Sequence, residues 1–234
     1  MKIENSVVLV TGSNRGIGLA FTRELLARGA RKVYAGARDP SSVTLPGVVP
    51  VRLDVTNENE VAEAARKAGD VTLVINNAGV AHWGPFLAPD SEEVARRQFE
   101  TNFFGMLRVS KAFAPVLKSN GGGAFLNVLS IVSWLNGGQL AAYAASKSAA
   151  WSLTNALRHE LASQKTQVLA LHMAFVDTDL VRSVDAPKSS PEDIVKRALD
   201  ALEAGREEVL ADEMTKQFKQ GLTAARPSYL PPLA

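Results

Sequence analysis

Seven short apolar, β-branched runs alternate with longer stretches of helical periodicity along this 234-residue chain. The runs are VVLVT (7–11), KVYAGA (32–37), VVPVRL (48–53), VTLVIN (71–76), AFLNVLS (124–130), QVLALHM (167–173) and EEVLA (207–211). Several are apolar on both faces, as a strand reads when a parallel sheet is covered on both sides. Helical patterns fall at about 16–28, 57–68, 91–118, 142–163 and 191–204, and Asp90 with Glu93 predicts a cap on the third. Strand–helix alternation of this kind predicts an α/β fold. We expect one domain over 1–234: an open, doubly wound sheet of seven mostly parallel strands, with helices on both faces. No linker or internal repeat interrupts it, and the proline-rich tail ARPSYLPPLA reads as irregular.

Such a sheet binds ligands in the crevice outside the carboxyl ends of its strands. The segment leaving the first strand is TGSNRGIG, which places Gly12, Gly16 and Gly18 between a strand and a helix. Glycines there permit a tight turn and close approach of backbone to a ligand, and the helix N-terminus offers free N–H groups to an anion. The loop therefore points to a dinucleotide, although its G-x-x-x-G-x-G spacing departs from the general G-x-G-x-x-G fingerprint. The second strand runs into GARDP. A carboxylate in that region would select NAD through the ribose 2′-OH. Here Ala37 and Arg38 stand there instead, with Asp39 one residue further on beside a proline. Arg38, with Arg15 as a second cation, suits a 2′-phosphate, so the expected cofactor is NADP(H).

Other chemistries find little support. The net charge is +2 with the two signs interspersed, so no basic face for nucleic acid or a membrane surface is expected. Cysteine is absent, which excludes disulfides, thiolate metal sites and a cysteine nucleophile. The three histidines, His82, His159 and His172, lack metal-ligand spacing, and no metal site is expected. No run approaches the ~20 apolar residues of a membrane span, and the N-terminus lacks the apolar segment of a signal peptide, so a cytoplasmic location is expected.

Five short motifs, in order and at the right elements, resemble those of the short-chain dehydrogenase/reductase family in its single-domain Rossmann form. TGSNRGIG is similar to the family's T-G-x-x-x-G-x-G, NNAG (76–79) to its fourth-strand motif, and YAASK (143–147) to its Y-x-x-x-K. TNFFG (101–105) holds the family's asparagine as Asn102, and NVLS (127–130) its serine as Ser130. The resemblance covers nearly the whole chain. It implies that Tyr143 is the general acid that protonates a carbonyl oxygen as hydride reaches its carbon, and the base in reverse. Tyr143 and Lys147, four residues apart, share one face of a helix. A free phenol has a pKa of about 10, and a nearby ammonium favours phenolate, so Lys147 is expected to lower that value.

The resemblance further implies that Ser130 hydrogen-bonds the substrate oxygen, with Ser133 the neighbouring alternative, and that Asn102 holds a water linking Lys147 to solvent. It assigns cofactor contacts to Gly12, Ser13, Asn14, Arg15, Gly16, Ile17 and Gly18 in the loop, and to Arg38. Asp54 and Val55 would meet the adenine, while Asn76, Asn77, Ala78 and Gly79 would form the floor. Tyr143 and Lys147 would meet the nicotinamide ribose, and Val176 and Thr178 the nicotinamide amide. One departure stands out: Met173 and Ala174 replace the family's Pro-Gly pair.

The substrate expected is a small-molecule ketone or alcohol. His82, Trp83, Trp134, Leu135 and Phe175 predict an apolar pocket for a bulky or aromatic group, under a short lid from Asp179 to Ser190. His159 and His172 read as packing or interface residues. Apolar faces on helices 91–118 and 142–163, which the family pairs between subunits, predict a homodimer or homotetramer. A 3-oxoacyl-[acyl-carrier-protein] reductase is the alternative within the class. A non-catalytic NADP(H) sensor and a nucleotide- or methyl-donor-dependent transferase are the alternatives outside it.

Overall fold

Val7–Thr11 (β1) is buried at all five positions, and its side chains divide by parity between two hydrophobic cores. Val8 and Val10 enter one, Val7 and Leu9 the other. That is the period-2 geometry of a strand with protein on both sides. The structure is a computed structural model describing residues 1–182 and 184–230. Its other strands are β2 (Lys32–Ala37), β3 (Val49–Arg52), β4 (Leu73–Asn76), β5 (Gly123–Val128), β6 (Thr166–His172) and β7 (Glu208–Leu210). They form a seven-stranded sheet in the order β3-β2-β1-β4-β5-β6-β7, and every pairing is parallel.

The helices are α1 (Gly16–Ala27), α2 (Glu58–Lys67), α3 (Ser91–Phe99), α4 (Met106–Ser119), α5 (Ala141–Glu160), α6 (Pro191–Glu203) and α7 (Glu213–Gln220). Phe21 and Leu25 of α1 join Ile194, Val195, Ala198, Leu199 and Leu202 of α6 over one face. Val61 of α2, Val109, Phe113 and Leu117 of α4 and Leu157 of α5 cover the other. Each large side chain so buried contributes about 1.5–3 kcal/mol. The strand order reverses at β1 and β4, which opens the ligand crevice above their carboxyl ends. Among the described residues no helix is long and apolar enough to cross a membrane.

Three expectations need correction. The stretch 91–118 is two helices separated by a π turn, Glu100–Gly105, and Asn102 lies within that turn. Asn102 is buried and ties its side chain to Val80 of the neighbouring loop. Gly105 then passes so near the β3–α2 loop that a Cβ on it would lie 2.6 Å from Val55 Cγ2. Asp90 does not cap α3 with its side chain. Its backbone (φ −96°, ψ 6°) lacks the extended conformation that aims a capping carboxylate at the helix N–H groups. Finally, α7 was not foreseen. Asp212 starts it, accepting from Thr215 N at 2.8 Å. The tail folds back on this helix, Ser228 Oγ donating to Phe218 O at 2.9 Å, while residues 231–234 lie outside the described residues.

Candidate active site

β1 ends in a turn that only glycine fits well. Gly12 (φ +65°) and Gly16 (φ +53°) are in the left-handed region. A Cβ on Gly18 would lie 2.1 Å from Gly12 O. Thr11 Oγ1 accepts from the N–H groups of Asn77 and Ala78, both at 2.9 Å. Asn77 Nδ2 donates to Thr11 O and Gly12 O. The β1 and β4 loops are thus stitched into one floor. No side chain caps the N-terminus of α1, whose first turn carries no acid. That end of the helix favours an anion.

Beside this cradle, Arg38 is exposed and makes no polar contact or ion pair within the described protein. Asp39 also borders the cleft, but its carboxylate is engaged, accepting from Ser41 N and Oγ. Those bonds hold its pKa below the usual carboxylate value. Asn14 Nδ2 donates to Ser42 Oγ at 3.1 Å, and Arg15 reaches Asp179 of the lid at 3.8 Å. Asp54 lines the same cleft with Oδ1 accepting from Thr56 N and Oγ1.

The cleft, about 1750 Å³, continues to Ser130, Tyr143 and Lys147. Ser130 leaves β5 with an extended backbone and caps a 3-10 turn, Ile131–Ser133, accepting from Val132 N at 3.3 Å. Lys147 is 4% exposed and donates to Val128 O at 2.9 Å. Its Nζ lies 5.7 Å from the Tyr143 ring centroid. Gly79 keeps the floor open there, since a Cβ on it would stand 3.3 Å from Asn102 Oδ1 and 3.8 Å from Lys147 Nζ. Burial pulls Lys147 down to about 8. It pushes the Tyr143 phenol up to about 12, against the opposing pull of a hydrogen bond with Ser130. The phenol thus stands above its free value, because desolvation of the phenolate outweighs the Ser130 hydrogen bond.

A model of the short chain dehydrogenases matches residues 6–189. The chain belongs to the short-chain dehydrogenase family. A short-chain dehydrogenase from Burkholderia cenocepacia, solved in complex with NADP, is 44% identical with a TM-score of 0.93, over 96% of this chain and 95% of that one. The pig protein named carbonyl reductase [NADPH] 2 is 35% identical over 75% of this chain and 74% of its own length. A 3-oxoacyl-[acyl-carrier-protein] reductase of Vibrio cholerae is 31% identical over 79% of each. Two fungal oxidoreductases at 34% identity are longer, and the chain spans 65% and 57% of their length.

Most of the family's site positions converge in this short-chain dehydrogenase. Gly12, Asn14, Arg15, Gly16, Ile17, Gly18, Arg38, Asp54, Val55, Asn77, Ala78, Gly79, Ser130, Tyr143, Lys147, Val176 and Thr178 all line the one cleft. Three do not reach its wall. Ser13 is buried behind the loop and donates to Gly36 O at 3.1 Å. Asn102 bonds Val80 N and O and donates to Ser146 Oγ at 2.9 Å. Asn76 likewise turns into the core, donating to Asn127 Oδ1 at 2.9 Å. Ser133 is buried off the wall, which favours Ser130. Trp134, expected in the pocket, stacks on His172 instead. His159 is exposed.

Met173 and Ala174 hold the backbone without Pro-Gly. Met173 packs into the core and its carbonyl accepts from Ile131 N at 2.8 Å. Ala174 N donates to Asp212 Oδ2 at 2.7 Å. Met214, on the same helix α7, completes the wall. Both contributions were missed, although Asp212 three residues before Thr215 is a readable helix start.

Proposed function

We propose that this short-chain dehydrogenase uses NADP(H) to interconvert a ketone bearing bulky apolar groups and its secondary alcohol. The observation that carries the reading is convergence: Tyr143, Ser130 and Lys147 close one end of a cleft whose other end is a glycine cradle beside an unpaired Arg38. The cradle fits a dinucleotide, because no side chain fills it and an uncapped helix faces it. Gly12, Gly16, Ile17 and Gly18 would hold the pyrophosphate, and Arg38 with Arg15 and Asn14 the 2′-phosphate. Asp54 and Val55 would meet the adenine, with Ala78 and Gly79 as the floor and Asn77 bracing it. Val176 and Thr178 would meet the nicotinamide amide. When bound, the reduced nicotinamide supplies hydride. NADP in the Burkholderia relative supports the same choice here.

The protein's own groups handle the proton. Ser130 Oγ orients the carbonyl oxygen, and Tyr143 O–H donates to it. A phenol held near 12 is protonated at pH 7, the form that reduction consumes. Lys147 spends one N–H on Val128 O and keeps two for the ribose hydroxyls and the refilling of Tyr143. The Asn102 side chain is committed to protein, so a water serving Lys147 would rest on its main-chain carbonyl.

Trp83, Val132, Leu135, Leu140, Phe175 and Met214 give the substrate end an apolar lining. The arginines at its rim are neutralised, Arg96 by Glu92 and Arg97 by Glu93, which disfavours an acidic carrier protein. In an NADPH-consumption assay, aryl ketones should show kcat/KM well above short aliphatic ketones, and the reverse ranking refutes the substrate class. Binding of NADPH with no consumption across the panel would indicate a sensor, and no binding a transferase. We also propose a homodimer or homotetramer, because the Phe99–Phe103–Phe104 cluster leaves Phe104 exposed on the π turn. Sedimentation as a single 25.0 kDa species would contradict it.

A further inference from the structure

His172 is fully buried at the end of β6, and its ring touches both ends of the turn that carries Ser130. Nδ1 lies 3.1 Å from Ser130 O at the start of that turn. The ring stacks on Trp134 at its close, with centroids 4.0 Å apart and an interplanar angle of 24°. Trp134 N donates to Ile131 O at 3.1 Å, which closes the turn, and Trp134 meets Trp151 of α5 edge-on at 6.2 Å. A carbonyl oxygen only accepts, so Nδ1 carries the hydrogen. Nε2 has no hydrogen-bond partner and faces Glu208 Oε1 at 3.7 Å. Glu208 of β7 is itself paired with Lys219 of α7. Burial, with Lys219 and Arg158 opposing Glu208, pulls the imidazole down to about 4, so the neutral ring persists at pH 7.

We infer that His172 is a positioning residue for Ser130, gripping the turn at its first carbonyl and its last ring so that the Ser130 hydroxyl stays aimed at the substrate oxygen. The inference rests on the reading of Ser130 given above. Ser130 Oγ lies 3.3 Å from Val132 N and 3.4 Å from Met173 O, and it shares a hydrogen bond with the Tyr143 phenol. Where that hydroxyl sits between Tyr143 and the substrate oxygen depends on the backbone that bears it. Nothing in the nucleotide cradle touches His172, so the effect should fall on turnover rather than on coenzyme affinity. Misplacement of a reacting group by about 1 Å costs about a hundredfold in rate.

Two substitutions separate the two grips. His172→Phe keeps a ring against Trp134 and loses the donor. His172→Asn keeps an amide N–H near the Nδ1 position and loses the stack. The assay is turnover of acetophenone with NADPH, together with NADPH affinity by fluorescence titration and the thermal midpoint. The Phe variant should lose tenfold or more in kcat with NADPH affinity within twofold of wild type, and the Asn variant should recover to within about threefold of wild type. A Phe variant within twofold of wild-type kcat, or an Asn variant no better than Phe, overturns the inference. Should the Phe variant not fold, His172→Gln replaces it, since its amide reaches past Nδ1 toward Glu208. A Gln variant tenfold below Asn supports the role, and one equal to Asn removes it. Full acetophenone turnover by Ser130→Ala would instead remove the assignment of Ser130, and with it the function His172 is inferred to serve.

Discussion

Lys147→Met separates what the lysine does for chemistry from what it costs the fold. The ammonium is buried at 4% exposure, and burial alone pulls its pKa from 10.5 to about 8. That difference corresponds to about 3 kcal/mol of instability for the charged group at neutral pH. Methionine fills a similar volume without charge but leaves Val128 O without its 2.9 Å donor, a loss of about 1–3 kcal/mol. The variant should therefore be as stable as wild type or up to about 2 kcal/mol more stable at pH 7, equivalent to about 0–8 °C in thermal midpoint. The pH dependence isolates the cause. Below pH 8 the lysine is charged in both folded and unfolded chains, and the penalty is present in full. Between about 8 and 10.5 the folded chain releases the proton while the unfolded chain keeps it. Wild-type stability should then rise with pH, by at most about 1.4 kcal/mol per unit from this group. Urea unfolding of both proteins at pH 7, 8, 9 and 10 should show the difference shift toward wild type as pH rises. A difference that stays flat across this range, or a variant more than about 1 kcal/mol less stable at pH 7, refutes the reasoning.

Tyr143→Phe should lower turnover by about 10²–10⁴-fold while NADPH still binds, and undiminished turnover would overturn the assignment of the acid. Arg38→Ala should lower the NADPH/NADH ratio of kcat/KM by about tenfold or more, the worth of a charge-assisted hydrogen bond, and an unchanged ratio would reassign the 2′-phosphate site. Gly18→Ala forces a Cβ to 2.1 Å from Gly12 O, a backbone atom that no side-chain rotation can move aside. It should cost about 1–3 kcal/mol and weaken NADPH binding, while a thermal midpoint and affinity equal to wild type would mean that the turn yields freely.

Much of the architecture was legible because it is written locally. The continuous apolar run at Val7–Val10 reveals a strand with a core on each side, and the order of such runs among helices implies the parallel sheet. The site was legible where a motif abuts a strand end, as with Gly12, Gly16 and Gly18 after β1 or Arg38 after β2. It failed where a pattern was continuous but the structure was not. The helical periodicity through 91–118 carried no mark of the π turn at Asn102, since a π turn is set by what the segment packs against.

Spacing along the chain thus determined the sheet, the crevice at its switch point, the dinucleotide loop and the pairing of Tyr143 with Lys147 on one helical face. Periodicity and backbone freedom act between near neighbours, and a sequence displays them directly. The tertiary structure alone decided that Ser13, Asn76 and Asn102 brace the site from behind and that Trp134 leaves the pocket for His172. It also decided that burial raises the phenol of Tyr143. These outcomes depend on desolvation and on contacts such as that of His172 with Ser130, 42 residues apart, which arise only when distant segments are packed together.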